Sequence, residues 1–171
     1  GIKERRICTS ENTSDMCGEV AKKLLEKSNI SADEIDLIIV ATLSPDYMIP
    51  SVGCLVQKKI NAVNAFAFDV SAACTGFIFA FSTAEKFLQS GRYKNAIVIG
   101  GECQSKVVDW KDRGTCVLFG DGAGGVLLSS SSENFAYEED LHSNGQKSDS
   151  LTAGYNPVNN LLTENENDKW Y

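Results

Sequence analysis

The chain has 171 residues, 43% of them hydrophobic and 23% charged, which suffices for one buried core and one domain, and its formal net charge of −7 argues against nucleic acid and anionic membrane surfaces as partners. No apolar run is long enough to span a bilayer, and no signal-peptide pattern opens the sequence. The six cysteines, at 8, 17, 54, 74, 103 and 116, contain no C-x-x-C pair and are accompanied by a single histidine, so neither a zinc site nor a disulfide framework is expected and a reducing cytoplasm is the natural compartment.

With Thr13 or Ser14 as N-cap, Met16, Val20, Ala21, Leu24 and Leu25 recur at helical spacing while Glu19, Lys22, Lys23, Glu26 and Lys27 take the other face, which predicts an outer amphipathic helix. The nearly continuous apolar run from Ile35 to Ala41 predicts a strand covered on both faces. Ser44 to Pro50 holds two of the three prolines and reads as a loop, after which Ser51 caps a second helix that turns Leu55, Val56 and Ile60 inward. A strand over Ala65 to Val70 leads into an apolar helix from Phe77 to Leu88. Its Phe77, Ile78, Phe81, Ala84, Phe87 and Leu88 leave almost no polar stripe, so it is expected between layers, with Gly91 in a left-handed position past its end. Lys94 to Gly100 contains another buried strand, and the alternation predicts an α/β fold with parallel neighbours and right-handed crossovers. Val126-Leu127-Leu128 and Phe135-Ala136-Tyr137 suggest a closing pair of strands, and the polar stretch from Gln146 to Tyr171 a loop or linker.

The chemistry centres on Cys74, which three small residues, Ser71, Ala72 and Ala73, deliver where the apolar helix starts. A thiol in the first turn of a helix feels the positive end of the macrodipole and unpaired N–H groups, which favour the thiolate and can hold an oxyanion. Strand, tight turn, nucleophile, helix is also the logic of the nucleophile elbow. A free cysteine among alanines is more often a small buried hydrophobe than a reagent, and the local residues by themselves favour that reading. The other candidates are weaker. Gly120 to Gly125 lacks the lysine of a phosphate-binding loop and the Rossmann order, so its glycines are expected to allow close packing beside the Cys74 helix. Arg113 lies in a polar stretch where solvation is the default, and Phe119 reads as core. Asp69, five residues before Cys74 on the strand, is expected to face away from the thiol and contact a helix or backbone. His142 is expected on the surface or in a strand, and the other five cysteines as packing residues.

The run Ala67-Phe68-Asp69-Val70-Ser71-Ala72-Ala73-Cys74-Thr75-Gly76-Phe77 resembles the active-site segment of β-ketoacyl-acyl-carrier-protein synthase III, the thiolase-like condensing enzymes that initiate bacterial fatty acid synthesis. Further similar stretches follow the family's order: Gly1 to Ile7, Ala41 to Ser51, and Asp109 to Thr115 running into Leu118 to Gly124, with Leu141 to Gly145 the last recognisable piece. The resemblance implies one half of a thiolase-like fold, a layered α/β/α arrangement with a mixed, mainly parallel sheet. Residues 1–145 would form this N-terminal half and 146–171 a linker toward a C-terminal half bearing the family's catalytic His and Asn, with both ends of the chain short of the family's. It further implies Cys74 as the nucleophile that accepts a short acyl group from acyl-CoA, which is then condensed with malonyl-acyl-carrier protein to a 3-oxoacyl product. By the same resemblance Arg113 stacks on the adenine of coenzyme A, Phe119 walls the acyl pocket, and Ile49 reaches toward the partner's pocket in a homodimer joined through Ala65 to Val70. No metal or tightly held cofactor is implied. A relative acting on other acyl thioesters, as in polyketide metabolism, and a non-catalytic dimerising fragment are the alternative readings.

Overall fold

The apolar run ending at Ala41 forms an inner strand of a four-stranded sheet, with hydrogen-bonded neighbours on both sides and packed layers on both faces. A computed structural model describes residues 1–133 and 137–154, in two units, 1–139 and 140–171. The first unit contains α1 (Thr13–Ser28), β1 (Leu37–Ala41), α2 (Val52–Ile60), β2 (Phe66–Val70), α3 (Gly76–Gln89), β3 (Asn95–Cys103) and β4 (Asp121–Ser129). The strand order is β2-β1-β3-β4. β1 runs parallel to β2 and β3, with Ala41 opposite Val70 on one side and Gly100 on the other, and β4 closes the sheet antiparallel to β3. Every residue of β1 is buried. Ile38 and Val40 join the core under α1 and α2, and Leu37, Ile39 and Ala41 join the one under α3, as the two-residue period of a strand requires.

Asn12 caps α1, not Thr13 or Ser14. Its side chain accepts from the backbone N–H of Thr13 at 2.9 Å, and Asp15 reaches back to the N–H of Asn12 at 2.9 Å, completing a capping box. Thr13 and Ser14 are drawn one step inside because tertiary partners await them: Thr13 Oγ1 donates to the carbonyl of Ser44, and Ser14 donates through both N and Oγ to Asp46. The deepest face of α1 is made by Cys17, Gly18 and Ala21, with Met16, Val20, Leu24 and Leu25 half-buried beside it. Ser51 caps α2 as expected, accepting from the N–H of Cys54 at 3.2 Å, and Val52, Val56 and Ile60 are buried while Leu55 is half-buried.

Two further expectations are corrected. α3 packs its Ala80 and Ala84 on the sheet, but Ile78 turns away and is 56% exposed, so among the described residues α3 covers one layer instead of lying between two. The sheet can bury only one side of a helix that is apolar all round. Most of the glycine-rich segment is the first part of β4, and of its glycines Gly125 presses on α1 while none meets α3. A Cβ on Gly125 would stand 2.6 Å from the Val98 carbonyl and 3.2 Å from Val20 Cγ1, while one on Gly101 across the ladder would overlap the Cys17 sulfur. Of the expected closing pair, Val126 to Leu128 belong to β4, whose partner is β3. Tyr137 is not in a strand, and Phe135 and Ala136 lie outside the described residues. Gly91, at φ +74°, follows α3 as expected. In the second unit a 3-10 segment spans Gly145–Ser150, and the rest of the expected linker from 155 onward lies outside the described residues.

Candidate active site

Because β1, β2 and β3 are parallel, the chain leaves all three at the same edge of the sheet, where α/β folds place their ligand sites. From β1 comes the loop carrying Ile49, 86% exposed; from β2 comes the turn carrying Cys74; from β3 comes the long connection carrying Arg113 and Phe119. The topology thus gathers all four candidates at one edge. Among the described residues no hydrogen bond joins their side chains. Phe119 is 42% exposed in the connection before β4 and is not core. Arg113 is exposed in a turn closed by Asp112, whose carboxylate accepts from the Thr115 hydroxyl at 2.6 Å and the Gly114 N–H at 2.8 Å. Those two hydrogen bonds hold the Asp112 carboxyl below its ordinary pKa.

Cys74 lies within a single 3-10 turn, Ala73–Thr75, one residue ahead of the N-cap Thr75, and so just before the first turn of α3 instead of inside it. Ala73 carries the left-handed φ of +47°, a conformation that costs an alanine about 1 kcal/mol. The turn is tied by the Thr75 hydroxyl donating to the Ala72 carbonyl at 2.9 Å and by the Gly76 N–H donating to Ala73. Gly76 permits close approach of the helix start to the end of β1, since a Cβ there would meet that of Ala41 at 3.3 Å. Among the described residues no side chain caps α3, which leaves its leading N–H groups without a side-chain acceptor there. Cys74 alone of the six cysteines is exposed. Cys17 is the contrast: fully buried, with its thiol pushed up to about 12 by burial and then by Asp69, Asp46 and Glu102.

Asp69 faces away from the thiol, as its strand position suggests, and caps α2 by accepting from the N–H groups of Val52 and Gly53, both at 2.7 Å. Burial raises its pKa and these two bonds oppose the rise. Unforeseen in the sequence is the brace that Glu102 makes at the end of β3. It accepts from the Leu43 N–H at 2.8 Å, from Thr42 Oγ1 at 3.3 Å and from Ser44 Oγ. Ser44 Oγ in turn accepts from the Cys103 N–H at 2.8 Å. Lys106 adds bonds to the Pro45 carbonyl and Asn12. These groups fix the loop that carries Ile49 over a separation of about sixty residues, which no local pattern records. His142, in the second unit, is exposed, bonds to Asp140 at 2.7 Å and is not in a strand.

Comparison with known proteins gives this arrangement a family. The family model for 3-oxoacyl-[acyl-carrier-protein (ACP)] synthase III matches residues 68–145. The β-ketoacyl-[acyl-carrier-protein] synthase III of Streptococcus mutans is 58% identical over 165 residues, covering 96% of this chain and 50% of that protein. The crystal structure of the synthase III from Aquifex aeolicus VF5 superposes with a TM-score of 0.76 at 52% identity, over 78% of this chain and 43% of that one. That of the enzyme from Thermus thermophilus does so with 0.84 at 34% identity, over 91% and 49%. The fold is therefore thiolase-like, an α/β unit with a mixed four-stranded sheet and flanking helices. The chain spans about half the length of the curated relatives it matches. It belongs to the 3-oxoacyl-[acyl-carrier-protein] synthase III family.

Proposed function

We propose that this chain is the nucleophile-bearing half, residues 1–145, of an initiating condensing enzyme, with 146–171 leading on from it. Cys74 attacks the thioester carbonyl of a short acyl-CoA, the coenzyme A thiolate departs, and the acyl group rests on sulfur until malonyl-acyl-carrier protein loses carbon dioxide and its carbanion takes the acyl group to give the 3-oxoacyl product. The observation that carries this reading is the exposed thiol on a left-handed turn beside an uncapped helix start. The leading N–H groups of α3 are placed to receive the oxyanion of the tetrahedral intermediate. Arg113, exposed in its Asp112 turn, offers a planar cation for the adenine of coenzyme A, and Phe119 a wall for the acyl chain. Ile49 reaches from its braced loop toward a partner protomer's pocket, in a homodimer formed through β2, and the cytoplasm is where the substrates meet it. No cofactor enters these steps.

Incubating a full-length enzyme that contains this half with acetyl-CoA tests the reading. One acetyl group is expected on Cys74 by peptide mapping, and Cys74→Ser should transfer far more slowly because a hydroxyl is scarcely ionised at neutral pH. Normal turnover with Cys74 unlabelled, or undiminished by Cys74→Ala, would overturn it.

A further inference from the structure

On the opposite side of β4 from the Gly122 and Gly124 positions, the sulfur of Cys8 lies close to that of Met16 and close to that of Cys103. Cys8 comes from the segment before α1, Met16 from α1 itself, and Cys103 is the last residue of β3. Cys8 Sγ lies 3.4 Å from Met16 Sδ. The ligand atoms of Cys8, Cys103 and Asp121 all fall within 4.8 Å of one another. Metal–sulfur bonds of about 2.3 Å put two ligand sulfurs roughly 4 Å apart, so the Cys8–Met16 and Cys8–Cys103 pairs are already near the span of a cation site. A cavity of about 760 Å³ opens onto Cys8, Met16 and Asp121 and supplies an entry path, and its wall carries both signs of charge, with Asp15 paired to Lys59 and Glu19 to Lys22.

The donor set decides the kind of ion. Asp121 is committed elsewhere: it accepts from the Cys8 N–H at 2.7 Å, the Ser105 N–H at 2.8 Å and the Ser105 hydroxyl at 2.6 Å. That leaves two thiols and a thioether, a soft set suited to a d10 monovalent ion and poorly suited to magnesium or calcium. Asp121 then acts as a positioning residue, fixing the backbone of Cys8 and the turn after Cys103. We infer that Cys8, Cys103 and Met16 form a binding site for a soft cation, of which Cu(I) is the best match, oriented by Asp121. Binding exchanges the two thiol protons for the metal and releases them to buffer. The site lies on the α1 face of the sheet, whereas Cys74 precedes α3 on the other face, and it does not depend on the function proposed for Cys74.

The test is an anaerobic titration of the 171-residue chain with Cu(I) against a chromogenic competing chelator. One tightly held equivalent is expected, retained in Cys74→Ser, weakened about tenfold in Met16→Leu, and weakened about a hundredfold or more in Cys8→Ser and Cys103→Ser. Cys103 is only 5% exposed, so its variant can lose the fold instead of the ligand. X-ray absorption at the copper edge on the Cys74→Ser chain avoids that ambiguity, and three sulfur neighbours are expected. Fewer than two sulfurs around copper, an equivalent that survives in Cys8→Ser, or one that disappears in Cys74→Ser would each overturn the inference.

Discussion

At the scale of single residues, the turn Ala73–Thr75 joins an unfavourable backbone to an accessible sulfur. The order of strand, small residues, cysteine and helix was legible in the sequence, but the φ of +47° was not, because alanine gives no signal for a left-handed position as glycine or asparagine would. That geometry is open to mutation. Ala73→Gly removes the Cβ penalty and offsets it with greater freedom of the unfolded chain, so stability should stay within about 1 kcal/mol of the original. Ala73→Val places a β-branched side chain at positive φ and should cost about 2 kcal/mol, read as a shift in the urea midpoint at constant slope. Cys74 should be the first of the six cysteines alkylated under brief labelling, followed by peptide mapping. It is the exposed one, whereas Cys17 and Cys103 are buried and Cys8, Cys54 and Cys116 are half-buried. Faster labelling of a half-buried cysteine would show that exposure does not govern reactivity here.

At the scale of elements, the sequence was most readable where a periodic apolar pattern met a local cap, as in α2 with Ser51, and least where tertiary partners chose among equivalent residues. Asn12, Thr13 and Ser14 are all good caps, and only Ser44 and Asp46, some thirty residues away, decide which one does it. β4 was half hidden because glycines carry no strand propensity. Its need for one of them, Gly125, comes from the Val98 carbonyl and from Val20 of α1 pressing on the sheet. Two glycines three residues apart should therefore behave oppositely. Gly125→Ala drives a Cβ into the Val98 carbonyl and should destabilise by about 1–3 kcal/mol, whereas a Cβ on Gly122 meets nothing within 4 Å and Gly122→Ala should be nearly neutral. Asp121, at the start of β4, ties down the segment before α1 and the turn after β3. Burial pushes its pKa up, but the hydrogen bonds from Ser105 and Cys8 outweigh this and hold it below the ordinary value. A depressed folded pKa means that the contribution to stability is complete above the unfolded value of about 4 and is lost as pH falls through the folded one. Asp121→Asn should accordingly flatten the acid side of a stability-against-pH curve below about pH 4, with little change in its slope at neutral pH.

At the scale of the whole molecule, parallel order and the central place of β1 follow from runs of buried β-branched residues, but sheet edges are not written in such runs. β2 reads in sequence as apolar as an inner strand, yet it lies at the edge, its residues half-exposed and Phe66 36% exposed. Its aromatic rings are already packed within the chain: the Phe66 ring stands 5.3 Å from those of Phe87 on α3 and Tyr93 beyond it, and 6.3 Å from that of Phe68. That preorganisation leaves a rigid apolar strand with one row of backbone donors and acceptors unpaired by the sheet, a surface that in water favours another strand. A second copy of β2 lying antiparallel across a two-fold axis would satisfy the row by symmetry and continue the sheet into eight strands, twice the four in this chain. The chain should therefore run as a dimer in light scattering at micromolar concentration. The β2 amides that point away from β1 should be protected from hydrogen exchange, and dilution into the monomer range should release that protection while leaving β1 and β3 unchanged. A monodisperse monomer with freely exchanging β2 amides would rule out this edge as the interface, and a dimer whose β2 amides still exchange freely would move the interface to another face.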